Sequence, residues 1–241
     1  MQVIDFNTEK GIYISRFGYF ETDFHSHPPV EIIYAENGTF SIFDNVKEYS
    51  HLHFAIIDSN KKHKLIASQS ELKIIMVEHH GGLQEILNNM CIILSDGLYV
   101  QQGSFMSENS VNEIIEALYK TNTSLKYDDR VLKAITLMNT HEMNYFSMIH
   151  ELIDTVNLSE SRLSHLFKQN VGISLKKYFV WSKIKKTVEE HLYTKEDLFS
   201  TLINNGFYDQ PHFSNVFKAM LGITPSKVYN SRILQVLTNR K

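Results

Sequence analysis

Cysteine is almost missing from this chain: Cys91 alone supplies a thiol among 241 residues. A single cysteine excludes a disulfide framework within one chain. Its place in the apolar stretch Met90–Leu94 predicts a buried, reduced side chain. Long apolar runs are missing too. Met90–Leu94 is the longest candidate and falls far below the roughly 20 residues that span a bilayer, so no membrane partner is expected. The opening Met1–Phe6 has no basic stretch leading into an apolar run, so no signal peptide is expected. These absences together predict a cytoplasmic location. There is also no phosphate-cradling glycine-rich loop, no nucleophilic triad and no low-complexity segment, which argues against most enzyme classes.

What is present is the composition of a packed protein, with 43% apolar and 21% charged residues. The net charge of −3 hides an asymmetry. Residues 126–241 hold 16 Lys and Arg against 11 Asp and Glu, a net of +5, whereas residues 1–125 hold 8 against 16, a net of −8. One half of the chain is therefore suited to meeting a polyanion.

Short, evenly spaced segments rich in β-branched and aromatic residues fill the first 80 positions: Ile12–Ile14, Glu31–Tyr34, Thr39–Phe43, Phe54–Ile57 and Leu72–Val77. Turn formers separate them, including Asn37-Gly38 and Asp58-Ser59-Asn60. This spacing predicts a small barrel or sandwich. From Gly82 the period becomes helical. Leu83, Ile86, Leu87, Met90 and Leu94 share a face, as do Val111, Ile114, Ile115 and Leu118. From Asp129 onward the chain reads as all helix. The polar stretch Thr121–Asp128 marks a boundary, giving residues 1–80 as a barrel, 81–125 as helices and linker, and 126–241 as a helical domain. The fold class expected is α+β.

The strongest signal is a self-match at an offset of 50 residues, in which the segment from Ser159 aligns without gaps to that from Asp209. Ser164/Ser214, Phe167/Phe217, Lys168/Lys218, Gly172/Gly222 and Ile173/Ile223 are identical pairs. Ser159 and Asp209 suit helix N-caps, and the two glycines suit the left-handed residue that ends a helix. An amphipathic helix precedes each copy, with Ile149, Leu152, Ile153 and Val156 in the first and Leu198, Leu202 and Ile203 in the second. Asn205-Gly206 supplies a tight turn in the second. Helix, turn and capped helix make a helix-turn-helix unit. Leu175 to Tyr193 can form one long helix joining two such units. On the first capped helix Ser161, Arg162, Ser164 and His165 lie off the apolar face; on the second, Gln210, Pro211, His212, Ser214 and Asn215 do.

The pieces Leu158-Ser-x-x-x-Leu-x-x-Leu-Phe-Lys-x-x-x-Gly and Gly206-Phe-Tyr-Asp-Gln-x-x-Phe-x-x-x-Phe-Lys-x-x-x-Gly-Ile-Thr-Pro-Ser resemble the DNA-binding domain of the AraC family of transcription regulators. The resemblance implies double-stranded DNA as partner. Ser161, Ser164, His165, Gln210, His212, Ser214 and Asn215 would then face bases. Gln210 and Asn215 suit adenine edges, and Arg162 suits guanine or phosphate. Lys168, Lys183 and Lys218 would meet phosphates. The family also implies a homodimer built on the helices of 81–125, contact with RNA polymerase and activation of transcription. Departures stand at Ile153 and Leu202, where the family usually has a small alanine, and at Ser182 and Val188, where it has arginine and alanine. They predict helices packed slightly apart, with Lys183, Lys185 and Lys186 as substitutes for the missing arginine.

His25-Ser-His27-Pro-Pro-Val-Glu31, followed by Gly38, resembles the first motif of cupin barrels, and His63 follows later. The second cupin motif departs: Asp58–Lys62 stands where Pro-x-Gly is usual. His25, His27, Glu31 and His63 are acceptable ligands for a divalent transition metal, yet in AraC-type regulators such a stretch belongs to an effector-binding barrel. A small-molecule effector pocket, a packing role and a metal site all stay open, and no cofactor is expected. His51, His53 and the His79-His80 pair read as surface or loop residues. Two competing readings remain: a metal-dependent cupin enzyme with a helical appendage, and a regulator acting only through protein contacts.

Overall fold

The computed structural model describes residues 2–78, 81–103, 106–121, 127–140, 144–194 and 196–229. His79-His80 and most of the Thr121–Asp128 boundary lie outside the described residues. The chain divides into two compact units, Lys126–Phe217 and a unit of 1–125 with the segment from Lys218.

Among its described residues the first unit has seven antiparallel strands, five of them on the short apolar segments expected. They are β1 (Gln2–Asn7), β2 (Ile12–Glu21), β3 (Val30–Asn37), β4 (Phe40–Asp44), β5 (Glu48–Ile57), β6 (His63–Val77) and β7 (Leu98–Gln102). The order is β1-β2-β6-β3-β5-β4, with β7 added to β5. Because β4 also pairs with β6, the strands β6, β3, β5 and β4 close into a ring, the barrel expected from the sequence. Between β3 and β4, Gly38 sits at φ +73°, and a Cβ there would stand 2.5 Å from the Gln69 carbonyl oxygen, so the turn needs glycine.

The paired isoleucines explain why the strands alternate poorly. Ile32, Ile56 and Ile75 point to one core, while their neighbours Ile33, Ile57 and Ile74 point to another. Successive strand residues face opposite sides, so this sheet is apolar on both faces. One face fills the barrel. The other is covered by α1 (Leu83–Asn89) and α2 (Glu108–Lys120), through Leu83, Leu87, Val111, Ile114 and Leu118. Ser107 caps α2 by accepting from the Ser110 N–H.

Three expectations need correction. Residues 98–102 lie between the two helices expected in 81–125, yet form β7, which pairs antiparallel with β5. The helix expected over 83–94 stops at Asn89. Cys91 then takes a left-handed backbone (φ 57°) and is exposed, not buried, because the chain reverses there to bury Ile92 instead.

The second unit is helical: α3 (Asp129–Thr140), α4 (Tyr145–Val156), α5 (Glu160–Val171), α6 (Leu175–Thr194) and α7 (Leu198–Asn204), followed by α8 (Gln210–Leu221), which begins in it. A five-residue helix, α9 (Pro225–Tyr229), follows in the segment from Lys218. Leu152, Leu163, Phe167 and Tyr178 form the centre of the core of α3 to α6, and the Phe167 and Tyr178 rings meet edge-on at 5.4 Å. Ile153 packs against this core from its edge, so the bulk replacing alanine is accommodated at the margin of α4. In the second helix pair Leu202 is fully buried.

Phe167→Ala should cost about 3–5 kcal/mol, the usual penalty for an aromatic cavity. Urea unfolding monitored by the far-ultraviolet helical signal measures it. A loss below about 1 kcal/mol would show that the ring is not the centre of this core.

Candidate functional site

The 50-residue repeat becomes two helices of equal length. α5 spans Glu160–Val171 and α8 spans Gln210–Leu221, each of 12 residues and in register with the self-match. Their starts are held the same way. The Ser159 hydroxyl accepts from the Arg162 N–H, and the Asp209 carboxylate accepts from the His212 N–H at 2.7 Å. Their ends match as well, since Gly172 and Gly222 are left-handed at φ 80° and 73°. The preceding turns differ in chemistry. After α4 the left-handed position is Asn157, and after α7 it is Gly206.

Capping and the buried faces together decide what is left outward. Leu163 and Phe167 on α5, and Phe213 and Phe217 on α8, point into cores. Ser161, Arg162, His165, Gln210, His212 and Asn215 are exposed, and Ser164 and Ser214 are half-buried beside them. Pro211 is exposed at the first turn of α8, where its missing N–H costs nothing. The His212 ring has a defined orientation, because its Nδ1 accepts from the Tyr208 N–H (3.4 Å) and it stacks edge-on with Phe207. A proton on Nε2 then makes the outward edge of His212 a donor. Tyr208, 85% exposed immediately before α8, was not singled out from sequence. Only the turn geometry places it outside the core.

The lysines divide. Lys168 is exposed on α5. Lys218 is exposed on α8 and pairs with Asp23 of its own unit at 2.7 Å. Lys183 is half-buried: its ammonium donates to the Gly206 carbonyl (3.1 Å) and lies over the Phe179 ring. Burial, and then the charge of Lys186, hold it below the usual lysine range. It ties α6 to the turn after α7. Lys185 is buried with its ammonium over the Tyr178 ring, and Lys186 is half-buried. Ser182, at the family's arginine position, is buried and donates to the Phe179 carbonyl.

The second cluster lies in the barrel. His25 and His63 face each other across an antiparallel bridge, with their backbones exchanging hydrogen bonds of 2.9 and 3.0 Å. His27 is held by the Asn60 N–H on its carbonyl, and Glu31 is the second residue of β3. All four side chains are buried, and donor atoms of the three histidines lie within 4.8 Å of one another. Glu31 Oε2 stands 3.1 Å from His63 Nε2 and 3.5 Å from His27 Nε2. Burial, then the neighbouring His63 and His27, push His25 down to about 3, so its ring is neutral near pH 7. Burial opposes the charge on Glu31, whose Oε2 faces both rings. Of the remaining histidines, His51 is exposed and His53 accepts from the Gly103 N–H.

Comparison with known proteins agrees with this geometry. Residues 152–231 match the family model described as a helix-turn-helix domain. The arabinose operon regulatory protein of Escherichia coli K12 is 35% identical over 103 residues, which are 42% of this chain and 34% of that protein. Its counterpart from Salmonella typhimurium is equally similar over 36% of its length. The chain therefore matches about a third of these regulators' length. A crystal structure of ToxT from Vibrio cholerae aligns over 95% of this chain and 99% of its own, with a TM-score of 0.56 at 10% identity, which is a likeness of fold. The C-terminal domain is thus a helix-turn-helix domain. It is similar in this region to the DNA-binding part of those two regulators, as the motifs beginning at Leu158 and Gly206 lead one to expect.

Asp209→Ala should cost about 1 kcal/mol by removing the cap of α8. Thermal unfolding of the full chain checks this, and Asp209→Asn, which preserves the acceptor, should restore most of the loss.

Proposed function

We propose that this chain is a sequence-specific regulator of transcription that reads double-stranded DNA with α5 and α8. One observation carries the reading. Two capped helices of equal length, 50 residues apart, each leave a polar, exposed face beside a buried aromatic one. The N-terminal part of a recognition helix is what contacts base edges, and the exposed residues cluster there. Between the two units runs α6, 20 residues long. A helix of that length spans ~30 Å, close to the ~34 Å between successive major grooves on one side of the duplex.

In this reading Arg162, His165, Gln210, His212 and Asn215, with Ser161, Ser164 and Ser214, face bases. Lys168 and Lys218 sit against phosphates, the latter in exchange for Asp23. Lys183 serves the turn between α7 and α8 more than DNA, because its ammonium is already committed to Gly206. The protein acts in the cytoplasm as an activator that answers a signal sensed in the barrel and touches RNA polymerase. It works as a homodimer. The apolar stripe of α2 is spent on the barrel, so a partner would meet the polar outer face of Glu113, Glu116 and Lys120.

Selection from a random duplex pool by the full chain should enrich one sequence with two half-sites about one turn apart. No enrichment at low salt removes the reading. With that site in hand, Asn215→Ala and His165→Ala should each cost about 1–3 kcal/mol and relax preference at one position. If both leave affinity and preference intact, the base-facing assignment is wrong. Lys168→Ala should weaken all sequences alike and lower the slope of log affinity against log salt by about 1.

A further inference from the structure

The polar atoms in the barrel cluster are arranged as if around a cation. Each of the three histidines has its Nδ1 at 2.9 Å from a main-chain carbonyl: His25 to Asp23, His27 to Pro29 and His63 to Lys61. A carbonyl can only accept, so Nδ1 carries the proton in all three rings. A neutral ring so oriented has its lone pair on Nε2. Two of these nitrogens, on His27 and His63, and Glu31 Oε2 are buried without a hydrogen-bond partner. In neutral rings, lone pairs of Nε2 then face a carboxylate oxygen at 3.1 and 3.5 Å. Acceptors held against acceptors in a buried site are costly unless positive charge lies between them.

The spacing fits one ion. Two ligand atoms ~2.1 Å from a metal stand ~3.0 Å apart at an octahedral angle and ~3.4 Å apart at a tetrahedral one. The Glu31 distances match those edges, and the 4.8 Å span of the histidine donors closes with a small contraction. A backbone carbonyl bonded to Nδ1 is also the outer partner that metal-binding histidines generally have, fixing the ring and raising the basicity of the other nitrogen. Three imidazoles and one carboxylate select borderline transition ions over magnesium or calcium, which prefer all-oxygen sites.

We propose that His25, His27, Glu31 and His63 bind one divalent first-row transition ion from the iron-to-zinc part of the series. The ion joins the 25–27 segment to the start of β6 and to β3. This site stands apart from the DNA reading, because metal content is measured without DNA.

The test uses the full chain, stripped with a chelator and reloaded with zinc. One zinc per chain by elemental analysis and a rise in melting temperature with zinc but not magnesium are expected. Glu31→Gln and His63→Asn should each weaken zinc binding by more than the ~10–100-fold that loss of an outer partner costs. Absence of stoichiometric zinc, or equal affinity in both variants, overturns the proposal. Should the variants unfold, the X-ray absorption spectrum of zinc-loaded wild-type protein decides. A first shell of imidazole nitrogen and oxygen supports the site. A shell containing sulfur, as adventitious binding at the exposed Cys91 would give, overturns it.

Discussion

The barrel depends on the length of β6. One strand of 15 residues pairs with β4 through His63–Ile66, with β3 through Glu71–Val77, and with β2 along much of its length. A shorter strand would leave β4 on an open edge, with its row of backbone donors and acceptors unpaired. Because β6 reaches back to β4, its first residue is carried to the barrel end where the segment 25–27 bridges onto it. That residue is His63. Ring closure and assembly of the histidine cluster thus follow from the same register. Shifting β6 by one residue would reverse every inward side chain. His63 would leave the cluster, and Ile74 and Ile75 would exchange cores.

An analogous constraint organises the helical unit. α6 packs against α3, α5 and α7, so it has buried positions around most of its circumference, including Trp181, Ser182, Ile184, Lys185 and Thr187. This accounts for its basic residues. Lys183 and Lys185 sit in positions where burial demands a partner, a carbonyl for one and an aromatic face for the other. The small Ser182 satisfies its hydroxyl within the helix. A lysine count along the sequence overstates the charge this helix can offer to phosphate. Exposed cations stand on α5 at Arg162 and Lys168 and on α8 at Lys218.

How legible these features were depends on how local their causes are. α5 and α8 were legible in their starts and ends, because caps, left-handed glycines and an apolar Phe-x-x-x-Phe spacing are all encoded within a dozen positions. β1 and β7 were not. β1 buries only Val3, and β7 fully buries only Leu98. Edge strands held mainly by backbone pairing leave little alternation to detect. Cys91 was misplaced for a related reason. It lies among apolar residues, but the break after Met90 depends on the left-handed turn that returns the chain toward β7, and no glycine or proline marks it.

The cluster of His25, His27, Glu31 and His63 was legible as a set of residue types and illegible as chemistry. Spacing shows that two histidines at i and i+2 share a side of a strand. It cannot show which ring nitrogen carries the proton. That is settled by the carbonyls of Asp23, Pro29 and Lys61, which belong to residues with no ligand character of their own. Without those three hydrogen bonds each ring could turn its N–H toward Glu31, and the cluster would be a self-satisfied packing motif. With them, the lone pairs converge, and the main chain has converted a common set of polar residues into a site whose electrostatics call for a cation.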